Sequence, residues 1–340
     1  MMNDFTEAEL FAEWTARERN LFFSSLSLPA QQEFLYRWNF WARPGQRPPD
    51  GDWSLWLIMA GRGFGKTRAG AEWVRQIAEG DGSARFALVG ANYAETRTVM
   101  VEGESGLLSI APPDQRPVWE PSLKRLTWNN GAQAHLYSAA EQEGLRGPQH
   151  SHGWCDEIAK WMNNAGQAEA AWDNLKMGLR LGFRPQLVAT TTPRPVPLVR
   201  ALVSGDGVAI TTGRTQDNDL HLPVAFLTAM TADYSGTRLG RQELDGELIE
   251  DVEGALWTRA MIEGCRVGRD AVRVERSRDT GESGNRSLDC ARDERSAGCV
   301  RIVIGVDPPA PSPATRAGSS SPDWGLTTKP MCWVTVASKR

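Results

Sequence analysis

The most chemically specific run in the chain is Ala60-Gly61-Arg62-Gly63-Phe64-Gly65-Lys66-Thr67. Its glycines let successive backbone N–H groups curl around phosphate oxygens, and a following helix N-terminus adds partial positive charge. Lys66 can then reach the β- and γ-phosphates of a nucleotide, and the Thr67 hydroxyl suits Mg²⁺. Where such loops usually carry a first glycine, this one has Ala60. A phosphate loop that hydrolyses its nucleotide also needs carboxylates, and Trp154-Cys155-Asp156-Glu157 supplies two adjacent ones. Asp156 is expected to hold Mg²⁺ through water, and Glu157 to orient and deprotonate the attacking water. The residues leading into that pair, Ser151-His152-Gly153, are poorer in aliphatics than a usual buried strand.

Other residues leave two readings open. Arg62, inside the loop, can stabilise charge building on the γ-phosphate, or can be a surface arginine pairing with a nearby carboxylate. Arg146, in Gly144-Leu145-Arg146-Gly147-Pro148, is a further candidate of the same kind. Thr190, Thr191 and Thr192 follow an apolar run and precede Pro193; their hydroxyls can sense a γ-phosphate through water, or simply end a β-branched strand. His150 and His152 alternate, but no other metal ligand accompanies them. The cysteines, at 155, 265, 290, 299 and 332, match neither a zinc site nor a redox pair, and are read as reduced thiols.

These residues need a frame. Apolar Trp56 to Met59 precedes the loop, and a helical pattern from Ala69 to Ala78 follows it. A second apolar run, Phe86 to Val89, is followed by a helix from Ala94, and further strands are expected at Leu187 to Ala189 and Val208 to Ile210. Such alternation predicts an α/β domain with a mostly parallel sheet. Asn129-Asn130-Gly131, between Leu126 to Trp128 and Ala134 to Tyr137, reads as an inserted hairpin turn. Upstream, Thr6 and Glu9 have capping-box spacing ahead of Leu10, Phe11 and Trp14, and Pro29 opens a helix running through Phe34, Leu35 and Trp38. The proline-rich Arg43 to Pro49 stretch breaks helix and is expected to be a linker.

The 340-residue chain, 41% hydrophobic, can bury one core and begin a second. No apolar run reaches the ~20 residues of a membrane span, and the acidic N-terminus does not resemble a secretory signal, so a cytoplasmic protein without a membrane partner is expected. A net charge of −4 neither supports nor excludes nucleic acid. The 14 tryptophans suit core packing. Between Arg266 and Gly298 the large apolar residues nearly vanish, so a disordered linker or insertion is expected over 266–299. A strand-like run, Val300 to Val306, then leads into Asp307-Pro308-Pro309. The expected organisation is a helical segment over 1–50, a nucleotide-hydrolysing domain over 51–265, that linker, and a partial domain over 300–340.

The order of motifs resembles the large terminase subunits of tailed phages and of alphaproteobacterial gene transfer agents. The resemblance runs through Gly61 to Trp73, Gly144 to Gln149, Trp154 to Trp161, Thr190 to Pro195 and Tyr234 to Glu247. It implies a P-loop ATPase of the additional-strand, catalytic-glutamate class, followed by a ribonuclease-H-like nuclease. It assigns Gly61, Gly63, Phe64, Gly65, Lys66 and Thr67 to ATP, Thr67 and Asp156 to Mg²⁺, Glu157 to catalysis and Thr190 to Thr192 to coupling. It further implies that Gln46 reads adenine, that Arg62 serves as a finger in cis, and that Asp307 binds the nuclease metal, with Asp323 in the following turn. The implied partners are double-stranded DNA, gripped through its phosphates, a capsid portal, a small terminase subunit and further copies of the chain in a ring, all in a bacterial host cell. A two-metal nuclease needs several converging carboxylates, so nuclease activity is expected to be incomplete here. The competing expectations are another P-loop translocase or helicase, and a non-catalytic remnant of prophage or gene-transfer-agent origin.

Overall fold

The computed structural model describes residues 7–161 and 166–249, with the backbone of two strands at 302–305 and 333–336. The chain divides into two units, Met1–Arg266 and Val267–Arg340, each taken by itself.

The first unit opens with helices α1 (Glu7–Glu13), α2 (Ala16–Ser25), α3 (Leu28–Leu35) and the single turn α4 (Trp38–Trp41). Thr6 lies outside the described residues; the capping box that forms is Thr15 with Glu18, ahead of α2. Pro29 does sit in the first turn of α3, but that helix stops at Leu35 and does not run through Trp38. The Tyr36 carbonyl accepts from Arg75 Nη2 at 3.0 Å, and the chain restarts at Trp38. Phe11, Phe22, Phe34 and Phe40 pack ring against ring, a small aromatic core joining the short helices.

Eight strands follow: β1 (Leu55–Ala60), β2 (Arg85–Gly90), β3 (Val118–Glu120), β4 (Arg125–Thr127), β5 (Gln133–Ser138), β6 (His152–Cys155), β7 (Gln186–Thr191) and β8 (Val208–Gly213). They form one sheet in the order β3-β4-β5-β2-β6-β7-β1-β8. From β5 to β8 every neighbouring pair is parallel, as the alternation of strand and helix signals predicts. The expected hairpin is present: β4 and β5 pair antiparallel around Asn129-Asn130-Gly131, and β5 continues into the parallel sheet through β2. Two apolar layers cover the faces, one built on Trp56, Trp73, Phe86 and Trp154, the other on Leu57, Trp172, Leu175 and Leu187.

Helix α5 (Lys66–Gly80) lies against the first of these layers. Ala69, Gly70 and Ala71 let it approach closely: a Cβ on Gly70 would stand 2.3 Å from the Trp154 indole nitrogen. The aliphatic-poor β6 is nevertheless central and buried. His152 stacks on Phe86 at 5.3 Å, Trp154 is fully buried, and Gly153 is small because Leu187 fills its place, 2.6 Å from where a Cβ would be. The helix expected from Ala94 begins at Tyr93 as α6 (Tyr93–Glu95) and passes into a π-turn over Thr96–Val101, ahead of α7 (Leu107–Ile110). Helix α8 (Gln167–Gly178) precedes β7, α9 (Pro197–Val203) links β7 to β8, and α10 (Val224–Tyr234) and α11 (Arg238–Glu243) follow β8.

In the second unit β9 (Ile302–Gly305) pairs antiparallel with β10 (Trp333–Val336). The strand expected near Val300 to Val306 is thus present as β9, whereas Asp307, Asp323 and the segment 266–299 lie outside the described residues.

Candidate nucleotide site

The site lies at the C-terminal ends of β1, β6 and β7, where an open parallel sheet places its crevice. β1 ends at Ala60, which pairs with Gly213 of β8 in ordinary strand geometry, so the departure from glycine there costs no left-handed backbone. The loop then turns through Gly63 (φ 75°) and Gly65 (φ 94°), where glycine is required, and Lys66 opens α5. Lys66 is buried, and its ammonium donates to the carbonyls of Ala60 at 2.9 Å and Gly61 at 3.0 Å. Burial pulls its pKa below the usual lysine value, and the nearby Glu157 and Asp156 carboxylates oppose that pull.

β6 delivers the two carboxylates. Asp156 is buried, and its Oδ1 accepts from Thr190 Oγ1 on the adjacent β7 and, at 3.5 Å, from Thr67 Oγ1. Burial pushes the Asp156 carboxyl up to about 6, against the lowering pull of the Thr190 hydrogen bond; Glu157 adds to the rise and Lys66 opposes it. Glu157 stands in left-handed backbone at φ 48°, a strained conformation for a side-chain-bearing residue. Its Oε2 accepts from Thr192 Oγ1 at 3.4 Å, while Thr191 Oγ1 accepts from the Ala159 N–H at 3.2 Å. All three threonines therefore bind the acidic segment or its immediate sequel. All three are buried.

Arg62 lines the same cleft as Glu157 but pairs with a different carboxylate. Its Nε pairs with Glu243 Oε2 at 2.7 Å, with Glu243 only 10% exposed and also held by Gln242. Burial alone would raise Glu243, but the hydrogen bonds from Arg62 and Gln242 and the charges of Arg62 and Arg194 leave it below the usual glutamate value. The Arg62 backbone joins the same contact, its N–H donating to the Glu243 carbonyl at 2.7 Å. Glu243 was quoted above only as part of the Tyr234 to Glu247 run; its pairing with a residue so distant in sequence has no local signal. Arg146 stands apart on the surface, 3.8 Å from an equally exposed Glu143. His150 and His152 are held neutral by burial, both pulled down to about 4, and no group of three or more His, Cys, Asp or Glu able to hold a metal occurs among the described residues.

A cleft of about 690 Å³ opens over Lys66, Thr67 and Glu157, walled by Gln46, Trp38, Trp41 and Leu222. The Gln46 amide is already engaged by the chain: Nε2 donates to the Phe64 carbonyl and Oε1 accepts from the Arg43 N–H, each at 3.2 Å. The Thr67 hydroxyl and the Asp156 carboxylate, 3.5 Å apart, offer hard oxygen donors of the kind Mg²⁺ takes while keeping several waters. No helix among the described residues is long and apolar enough to cross a membrane.

Among solved structures, the large terminase of a thermophilic bacteriophage is similar at 16% identity and TM-score 0.48, over 64% of this chain and 53% of its own. The ATPase domain of the Thermus phage P74-26 large terminase is 12% identical at TM-score 0.46, over 58% and 90% respectively. The HK97 bacteriophage large terminase is 13% identical at TM-score 0.43, over 57% and 46%. The chain spans about half the length of the first and third. No curated protein matches the sequence. The family model of the terminase large subunit, T4likevirus-type, N-terminal, matches residues 57–263, more than half of the chain and all of the site from Lys66 to Glu243. By that match the chain belongs to the large terminase subunit family.

Proposed function

We propose that this chain is an ATP-hydrolysing motor that drives double-stranded DNA into a phage or phage-like capsid. The observation that carries the reading is the convergence of Lys66 and Thr67, from the loop after β1, with Asp156 and Glu157, from the end of β6, at one cleft. Neither segment alone specifies hydrolysis; together they offer a phosphate cradle and a carboxylate pair.

In this reading Lys66 leaves the Ala60 and Gly61 carbonyls to meet the β- and γ-phosphates. Thr67 and Asp156 would hold Mg²⁺, which would neutralise phosphate charge. Glu157 accepts the proton of the attacking water; its strained backbone and the Thr192 contact hold the carboxylate at the cleft. Thr190 and Thr192 tie β7 to the two carboxylates, so a change at the γ-phosphate reaches β7 and α9 beyond it. Arg62 is the candidate finger in cis. To reach the γ-phosphate it must leave Glu243, so the phosphate and α11 compete for one guanidinium, and hydrolysis returns it to α11. DNA, a capsid portal, a small subunit and a ring of copies are the partners that the family reading supplies, and the site of action is then the bacterial host cytoplasm. Grip through DNA phosphates makes translocation independent of sequence and sensitive to salt.

The test is steady-state ATP hydrolysis with Mg²⁺, with and without duplex DNA, for the wild type, Lys66→Ala and Glu157→Gln. Hydrolysis by the wild type, stimulated by duplex and lost in both variants, is the expected result. A wild type that binds ATP yet never turns it over would replace the motor with a non-catalytic remnant, and strand separation without any capsid component would favour a helicase.

A further inference from the structure

The Arg43–Gln46 segment supplies no catalytic group, yet two of its side chains hold the phosphate loop directly. The Phe64 carbonyl accepts from both Arg43 Nη2 and Gln46 Nε2. Arg43 Nη1 reaches across to the Asp217 carbonyl, and the guanidinium lies over the Phe64 ring at 4.6 Å from its centroid. That ring is slotted between Gly45 and Gly213, where added Cβ atoms would stand 3.2 and 2.1 Å from it. Asp217 belongs to a turn that holds the two preceding carbonyls of the loop. Asn218 Nδ2 donates to Gly63 O and Thr215 Oγ1 donates to Arg62 O, both at 2.7 Å.

Three successive carbonyls, of Arg62, Gly63 and Phe64, are thus held by side chains from two distant segments, and Arg43 joins those segments. A trans peptide is planar, so holding a carbonyl sets the direction of the next N–H, which points the opposite way. The held carbonyls therefore aim the N–H groups of Gly63, Phe64 and Gly65, the donors that a phosphate needs. We infer that Arg43 and Gln46 are positioning residues that preset the phosphate loop, so that affinity for the triphosphate itself depends on a segment that touches no phosphate. This rests on the nucleotide-binding reading above, and it gives the Gln46 amide a role that does not require a base.

The experiment uses the full chain with Mg²⁺ and two probes: ATP, and inorganic tripolyphosphate, which has no base. Affinities are measured by titration calorimetry for the wild type, Arg43→Ala, Arg43→Lys and Gln46→Ala, alongside hydrogen exchange of residues 61–66 and of β2. Both alanine variants should bind ATP and tripolyphosphate about tenfold more weakly, by the same factor for each probe, as loss of charge-assisted or buried hydrogen bonds implies. Arg43→Lys should stay weak, because one ammonium cannot span two carbonyls and stack on a ring. Exchange should quicken in residues 61–66 and not in β2; if Arg43→Ala loosens β2 as well, Gln46→Ala, which removes no charge, decides.

Unchanged tripolyphosphate binding in both alanine variants, or full recovery in Arg43→Lys, would overturn the inference. Weakening of ATP alone in Gln46→Ala would make that residue a base contact and remove it from the brace. A wild type that binds neither probe sinks the nucleotide reading instead, and the exchange data still decide whether the brace exists.

Discussion

The two sides of the phosphate loop are built differently. Toward the cleft, Lys66, Thr67, Asp156 and Glu157 are charged or hydroxyl-bearing groups that come from two short motifs and carry the chemistry. Behind and beside the loop, Arg43, Gln46, Gly213, Thr215, Asn218 and Glu243 come from three separate stretches and bind mostly backbone carbonyls. In the proposed reading, the first set can be exchanged only at the expense of reaction, and the second sets whether the loop is in place for it. The lesson is that this glycine loop is not a self-sufficient motif, since its carbonyls are held by side chains from outside it.

Glu157→Gln should break the comparison most visibly. With the proton acceptor gone, kcat should fall about 10²- to 10⁴-fold while ATP binding persists, read by comparing single-turnover hydrolysis with calorimetric affinity. If affinity falls in step with turnover, Glu157 belongs to the binding frame and the division between the two sides fails. On the other side, Gly213→Ala would press a Cβ against a Phe64 ring that is only 3% exposed and has Gly45 behind it. Such overpacking should cost about 1–3 kcal/mol in denaturant unfolding and weaken ATP binding, with turnover of bound ATP less affected.

Asp156 sharpens the contrast through pH. Burial raises its carboxyl from 3.8 to about 6, so the folded state favours the protonated form. The stability contributed by that proton is complete below about pH 4 and lost as pH rises through about 6. Asp156→Asn, neutral throughout, should match the wild type near pH 4 and exceed it by about 3 kcal/mol above pH 7, without Mg²⁺. Equal stability at high pH would mean that the ionised carboxylate is already fully compensated by Thr190 and Lys66. The smallest effect is expected at Arg146. Its pair with Glu143 is exposed on both sides at 75% and 73%, and Arg146→Ala should change the unfolding midpoint of the isolated chain by an amount near the limit of measurement. A clear shift would show that Arg146 contributes to the fold of the single chain.

The strands were legible because parallel strands buried on both faces are short apolar runs, and Trp56 to Met59, Phe86 to Val89 and Leu187 to Ala189 are of that kind. β6 was the least legible: its burial depends on Phe86 and Trp73 receiving His152 and on Leu187 filling the space beside Gly153, and those are neighbours in the adjacent strands and the covering helix, not in the chain. The helix expected to run from Pro29 through Trp38 failed for a similar reason. Its periodicity is local, but Arg75, on a distant helix, takes the Tyr36 carbonyl.

What the sequence by itself determined is the chemistry on offer: a glycine loop able to wrap phosphate, a lysine and threonine at a helix start, and two carboxylates at a strand end. Those are properties of residue type and near spacing, which a chain carries whether or not it is folded. Only the tertiary structure decided which of two readings Arg62 takes in this state, pairing with Glu243, and that Gln46 lends its amide to Phe64. It also gave the Arg43 to Pro49 stretch, expected as a linker, direct hydrogen bonds to the glycine loop through Arg43 and Gln46. Side-chain pairing across a hundred or more residues is set by how the parallel sheet brings strand ends together, and no local pattern encodes which distant carbonyl or carboxylate will arrive.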